Sequence, residues 1–116
     1  QDLEQLYSKK IFFNHDVQSI FEPELQMNIY RIISELVLNA IKHSDADMIT
    51  VCIFSEPGMV SIFIEDNGHG FDVKPNGNKN SLGIQSAESR VNYLKGNFML
   101  KSEQAKGTKI NIEIPL

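Results

Sequence analysis

Hydrophobic and polar positions recur with two different periods along this chain, and those periods predict its secondary structure. Residues 11–17 alternate between apolar and polar side chains, which predicts a strand. Residues 24–43 carry apolar side chains at three- and four-residue spacing, which predicts an amphipathic helix starting near Pro23. The same reasoning predicts further strands at 49–54, 59–65, 98–102 and 109–114 and a second helix at 83–95, before Gly96.

The order of these predicted elements is typical of an α/β (α+β) two-layer sandwich. Hairpins dominate the connections, so we expect a mixed, mostly antiparallel sheet with both helices on one face. Residues 66–81 are rich in Gly, Asn and Lys and form a connecting loop long enough to act as a lid. Residues 1–10 have loose helical spacing and are expected to end a linker or upstream helix, which leaves 11–116 as one domain.

Composition narrows the class of protein but does not name a function. The chain has 116 residues, of which 41% are hydrophobic and 22% charged, and these values are ordinary for a globular domain. Its net charge is −4 and its basic residues are scattered, so we expect no nucleic-acid partner. No apolar run is long enough to span a bilayer, so we expect no membrane contact by this domain. Cys52 is the only cysteine, which excludes an internal disulfide and a cysteine metal cluster.

One edge of the first predicted helix carries side chains that suit a metal ion and phosphate. At about 100° per residue, Glu35, Asn39 and Lys42 fall within about 60° of one another, with His43 further round. A carboxylate and an amide oxygen one turn apart suit Mg²⁺, and a lysine or histidine beyond them suits phosphate oxygens. The same pattern is also typical of the solvated face of any amphipathic helix, so both interpretations stay open.

A second candidate segment follows the predicted strand 59–65. Asp66 stands at the strand end, where its carboxylate can accept hydrogen bonds from an amine on a flat ring. Gly68 and Gly70 would let the backbone curl under that ring and touch it. The alternative is a type I′ hairpin turn at Asn67-Gly68, because that dipeptide is a strong hairpin signal.

Two shorter segments are weaker signals when each is taken alone. Leu82, Gly83 and Ile84 stand where the loop becomes a helix, and helix N-termini with a nearby glycine hold anions. Gly107 and Thr108 precede the last strand, where a glycine beside a hydroxyl could close over a base. An ordinary helix start and an ordinary turn explain these two segments equally well.

Together, in order and spacing, the four segments resemble the nitrogen box and glycine boxes of the GHKL superfamily. This superfamily includes gyrase, Hsp90, histidine kinases and MutL, and its members share the Bergerat ATP-binding fold. Residues 30–33 and the short loop are similar to sensor kinases that partner LuxR-type response regulators, and in the following helix only Arg90 clearly matches that subfamily. The matching boxes are residues 35–44, 66–71, 82–84 and 107–108.

The resemblance implies a role for each matching residue. Asp66 would bind the adenine amine of ATP with help from Thr108, and Asn39 would coordinate the Mg²⁺ that bridges the triphosphate. Glu35 would be the catalytic residue, orienting the incoming nucleophile or a Mg²⁺-bound water. The other implied nucleotide-binding residues are Lys42, His43, Gly68, Gly70, Leu82, Gly83, Ile84 and Gly107.

The resemblance also implies an activity and its partners. The chain would be the ATP-binding catalytic domain of a sensor histidine kinase, and this domain would lie in the cytoplasm. In isolation it would be monomeric, and a response regulator would be an indirect partner. It would donate the γ-phosphoryl group to a histidine on a separate dimerisation domain, because His15, His43 and His69 all lack a helical His-Glu or His-Asp context. The alternatives are a standalone serine kinase or anti-sigma switch of the same superfamily and a non-catalytic nucleotide sensor.

Overall fold

The computed structural model describes residues 10–16, 21–43, 47–68, 82–103 and 106–116, apart from the side chains of Lys10, His43 and Leu82. Five strands and two helices lie within these residues. They are β1 (Lys10–Asp16), α1 (Pro23–His43), β2 (Met48–Glu56), β3 (Met59–Asp66), α2 (Leu82–Tyr93), β4 (Asn97–Glu103) and β5 (Gly107–Pro115).

The strands form one mixed sheet in the order β1-β2-β3-β5-β4. β1 and β2 are parallel because α1 connects them as a crossover, whereas the other neighbouring pairs are antiparallel. β3 therefore lies at the centre, hydrogen-bonded on one side to β2 and on the other to β5. The prediction of a mixed, mostly antiparallel sheet is confirmed.

Both helices pack on one face of this sheet, which confirms the predicted two-layer sandwich. Alternate residues of the central strands point to that face, and Val60, Ile62 and Ile64 of β3 are no more than 2% exposed. From the helices, Ile32 and Ile84 are equally buried against them. Full burial of such a side chain stabilises the fold by about 1.5–3 kcal/mol. None of the helices in the described part of the chain is long and apolar enough to cross a membrane.

The first residue of the candidate segment 66–71 and both residues of the segment 107–108 belong to strands, not to the loops in which the sequence patterns place them. β3 extends to Asp66 and β5 begins at Gly107, so both strands are longer than predicted. The reason is cross-strand pairing: Asp66 has Ile49 and Thr108 as its register partners. Pairing on both sides continues the backbone hydrogen bonding past the last apolar position of β3.

The second helix is shorter than predicted and ends at Tyr93. Its last carbonyls are capped by the Lys95 amide, which donates to Asn92 O, and by the Gly96 amide, which donates to Val91 O, both at 2.9 Å. Lys95 has a φ of 63°, so it occupies the left-handed position that ends the helix. Gly96 follows because a Cβ there would collide with a carbonyl of β5. Gly96 therefore follows the end of the helix, as predicted. The left-handed position that glycine usually takes there is occupied by Lys95, one residue earlier.

Some predictions fall on residues that the structure does not describe. These are residues 1–9 of the linker or upstream helix predicted over 1–10, the end of the first strand at Val17, and the part of the loop and lid at 69–81. They remain predictions from the sequence. Lys10 was predicted to belong to that upstream segment, but it is the first residue of β1, because it pairs in register with Met48 of β2.

Candidate functional site

A buried carboxylate ends the central strand. Asp66 continues the alternation of β3, so its side chain lies on the face that the helices cover, and the residue is only 7% exposed. The backbone amide of Gly68 donates to Asp66 Oδ1 at 2.8 Å. A carboxylate has two oxygens and about four acceptor positions, so it can accept from a backbone amide and from a further donor at the same time. Such a group suits recognition of an amine.

Asn67 fixes the backbone directly after this carboxylate. Its Oδ1 accepts hydrogen bonds from the amides of Asp47 and Met48, both at 2.9 Å, and its own amide donates to Met48 O at 3.3 Å. Asn67 therefore ties the end of β3 to the start of β2. The alternative of a hairpin turn at Asn67-Gly68 is wrong, because both edges of β3 are already paired with β2 and β5.

The β5 strand approaches Asp66 unusually closely. Gly107 has a φ of 88°, and a Cβ built there would overlap the carbonyl oxygen of Asp66. Thr108 is the register partner of Asp66 and is 5% exposed. Its Oγ1 lies 2.8 Å from Oγ of Ser102 on β4. Ser102 was not predicted as part of the site, although a register prediction for β4 and β5 could have found it.

These residues form one cluster that we call the β3-end cluster: Asp66, Gly68, Gly107, Thr108 and Ser102. It combines a buried carboxylate, a part-buried hydroxyl pair and two glycines that keep side chains away from the backbone. A flat ring that carries an exocyclic amine fits these groups, because the carboxylate accepts from the amine and the glycines permit close contact with the ring.

The candidate residues of α1 lie at the boundary between core and solvent. Glu35 and Asn39 are half-buried, whereas Lys42, near the C-terminal end of the helix, is exposed. Glu35 forms an ion pair with Arg90 of α2, with 3.0 Å between Oε1 and Nε. The sequence patterns gave Arg90 no role, since nothing local indicates a contact across 55 positions. His43 is the last residue of α1.

The start of α2 supplies the next group of predicted residues. Leu82 is its first residue and Gly83 is half-buried, while the side chain of Ile84 is 1% exposed and belongs to the core. Ile84 could therefore meet a ligand only through its backbone. Gly70 lies outside the described residues.

A magnesium site here would depend on the nucleotide itself. Across the described residues there is no group of three or more His, Cys, Asp and Glu side chains placed to hold a metal. Mg²⁺ in nucleotide sites keeps several waters and takes one or two protein oxygens together with substrate phosphates. The half-buried amide of Asn39, one turn from the Glu35 carboxylate, fits that limited role.

Comparisons with known proteins show what this chain is similar to. Residues 24–116 match the family described as histidine kinase-, DNA gyrase B-, and HSP90-like ATPase. The chain is 37% identical over 92 residues to the sensor histidine kinase ComP of Bacillus subtilis, covering 78% of this chain and 12% of that protein. It is 36% identical over 108 residues to the sensor histidine kinase YdfH of the same organism, covering 89% of this chain and 26% of YdfH.

Solved structures show the same fold. The histidine kinase domain of a blue-light activated kinase from Erythrobacter litoralis superposes with a TM-score of 0.73 at 25% identity, covering 99% of this chain and 56% of that one. The histidine kinase AdeS of Acinetobacter baumannii gives a TM-score of 0.73 at 21% identity, covering 98% of this chain and 57% of AdeS. This chain thus spans only part of each of these proteins.

Proposed function

Because the chain belongs to the histidine kinase-, DNA gyrase B- and HSP90-like ATPase family and is an ATP-binding catalytic domain of the histidine-kinase type, we propose that it phosphorylates a histidine on a separate dimerisation domain. The chain spans about a quarter or less of the curated relatives described above, so the acceptor would belong to a longer parent protein. A response regulator of the LuxR type would then take the phosphoryl group from that histidine.

The single observation that carries this proposal is the β3-end cluster. We assign the adenine amine to Asp66 because its carboxylate is buried and is held by the Gly68 amide. Thr108 stands opposite Asp66 and assists, while Gly107 lets the backbone approach the ring. Asp66 stands where the pattern of this buried strand would otherwise place an apolar residue such as isoleucine. A carboxylate at such a position lowers the stability of the fold unless a hydrogen bond or a ligand pairs with it.

The phosphates would lie along α1 and the start of α2. Lys42 and His43 stand at the C-terminal end of α1 as candidate phosphate contacts, together with backbone amides at Leu82, Gly83 and Ile84. Asn39 would hold Mg²⁺, which supplies charge neutralisation for the triphosphate when bound.

Glu35 would act on the nucleophile. The acceptor imidazole attacks with one ring nitrogen, an N–P bond forms, and the bond from the γ-phosphorus to its bridging oxygen breaks, so that ADP leaves with the electron pair. Positive charge develops on the imidazole ring, whose other nitrogen carries a proton. The Glu35 carboxylate can accept a hydrogen bond from that N–H and balance the charge, which is electrostatic stabilisation by a group already in place.

The proposal also covers the setting of the domain. We expect the isolated chain to be monomeric, and we expect it to work in the cytoplasm, where ATP is available. Sedimentation of the isolated chain at several concentrations tests the first expectation, and a concentration-dependent increase in mass would contradict it.

Titration of this chain with a fluorescent ATP analogue tests the nucleotide site directly. Asp66→Asn keeps the shape of the side chain but replaces one acceptor oxygen with a donor, so we expect affinity to fall by at least about tenfold with the fold intact. Asp47→Asn is the matched control, because Asp47 is an exposed aspartate whose backbone, not its side chain, contacts the site. Equal affinities for both variants and the wild type would contradict the assignment of Asp66.

Transfer of label from γ-labelled ATP in the full-length parent protein tests the reaction. Acid-labile, base-stable label on a histidine supports the proposed kinase. Label on a serine would instead identify the standalone serine kinase, and nucleotide binding without any label would identify a nucleotide sensor.

A further inference from the structure

Within the described part of the chain, one ion pair joins the two helices, and it involves the candidate catalytic residue Glu35. Arg90 Nε donates to Glu35 Oε1 at 3.0 Å, and the two side chains are 31% and 28% exposed. The pair is half-solvated, so its contribution to stability is small compared with that of the surrounding apolar core. The pair therefore matters less for the stability of the fold than for the orientation of Glu35, the candidate catalytic residue.

The geometry restricts where the Glu35 carboxylate can lie. A glutamate side chain has three rotatable bonds, and holding it in one orientation costs conformational entropy that a strong partner must offset. A charge-assisted hydrogen bond from a guanidinium is such a partner. The bond to Arg90 uses Oε1, and a carboxylate retains further acceptor capacity on its second oxygen.

Arg90, the basic member of the pair, borders an open space between the helices. A cavity of about 410 Å³ is lined by Asn28 of α1 and by Ser86, Ser89, Arg90 and Tyr93 of α2. Among the described residues that line it, Arg90 is the one charged side chain. The Arg90 guanidinium thus borders this cavity and also pairs with the Glu35 carboxylate, whose side chain is 28% exposed.

We propose that Arg90 is a positioning residue, which acts through Glu35 by fixing the carboxylate in the orientation that receives the acceptor imidazole. This inference rests on the proposed function. Arg90 touches Glu35 and is not assigned to the nucleotide, so its removal affects the rate of phosphoryl transfer and leaves nucleotide affinity unchanged. A misplaced catalytic group can cost about a hundredfold in rate, so a tenfold loss is a conservative expectation.

A double-mutant cycle in the full-length parent protein tests this role. Arg90→Gln should lower kcat by about tenfold or more, with KM and the Kd for nucleotide changed by less than about twofold. In the Glu35→Gln background, the same Arg90→Gln change should lower kcat by less than about twofold, because the group through which it acts is already gone. Arg90→Lys should restore part of the rate, since lysine provides a cation without the planar fork.

The control is Lys109→Gln, which removes an ion pair to Glu65, at 3.7 Å, on the opposite face of the sheet. This control should leave kcat unchanged, and urea unfolding of both variants should show similar small losses of stability. Equal factors for Arg90→Gln in both backgrounds, or a parallel loss of nucleotide affinity, would overturn the positioning role. Failure of the unmodified protein to bind nucleotide or label a histidine would instead overturn the proposed function itself.

Discussion

Gly107 is the position at which one added methyl group should test the geometry of the β3-end cluster. Its φ of 88° is unfavourable for alanine, and a Cβ there would overlap the carbonyl oxygen of Asp66. Two other glycines separate these effects. Gly58 has a φ of 84° but no atom within 4 Å of an added Cβ, whereas Gly96 meets the carbonyl of Glu113 without a positive φ.

The three substitutions should therefore differ in a definite order. In Gly58→Ala the only unfavourable effect is alanine in a left-handed conformation, which should lower the free energy of unfolding by about 1 kcal/mol. Gly96→Ala carries steric overlap alone and should cost about 1–3 kcal/mol. Gly107→Ala carries both, so it should cost about 2–4 kcal/mol, a large fraction of the 5–15 kcal/mol typical of a domain.

Urea unfolding at 25 °C measures these free energies, provided that the slope m stays equal among the variants. The ATP analogue titration then adds a second measurement, because Gly107→Ala should weaken nucleotide binding while Gly58→Ala should not. A cost for Gly107→Ala no greater than that for Gly58→Ala would show that β5 does not approach Asp66 as described. That result would remove the geometric basis of the nucleotide assignment.

Two further predictions address the metal and the core. Asn39→Ala should abolish the increase in nucleotide affinity that Mg²⁺ produces, while Asn28→Ala on the same helix should retain it; titration with and without Mg²⁺ measures this, and an unchanged Mg²⁺ effect would contradict the role of Asn39. Ile62→Ala, on the helix-covered face, should cost about 2–5 kcal/mol in urea unfolding, and Phe54→Ala, on the uncovered face, less than about 1.5 kcal/mol. Equal costs would contradict the assignment of the covered face.

The sequence predicts the elements of this protein well because their signals are local. Helix α1 differs from its predicted start by a single residue, since apolar spacing and Pro23 both act over one or two turns. The contacts between elements are not local. The ion pair of Glu35 with Arg90 joins two helices whose crossing depends on how each packs on the sheet, and no periodicity encodes that.

The candidate site shows the same division. Residue type singled out Asp66 and Thr108 separately, and only the family resemblance linked them. Their direct pairing follows from the register of β3 and β5, which the assembled sheet fixes. The hairpin alternative at Asn67 illustrates the opposite case. Its local signal is strong, but the central position of β3 leaves no edge for another strand, so the tertiary arrangement overrides the dipeptide preference.

The position of the site follows from where the core ends. One row of paired residues on the covered face is wholly apolar: Val51, Ile64, Ile110 and Leu100. The next row, at the end of the sheet, is Ile49, Asp66, Thr108 and Ser102. The same pleat alternation thus delivers a carboxylate and two hydroxyls to places that an ordinary core would fill with hydrocarbon. Buried polar groups of this kind cost stability unless they are hydrogen-bonded, and the Gly68 amide and the Ser102–Thr108 hydroxyl pair provide such bonds. A departure from core patterning that is held in place by dedicated hydrogen bonds is what a binding site requires, because the polar groups are already oriented before the ligand arrives.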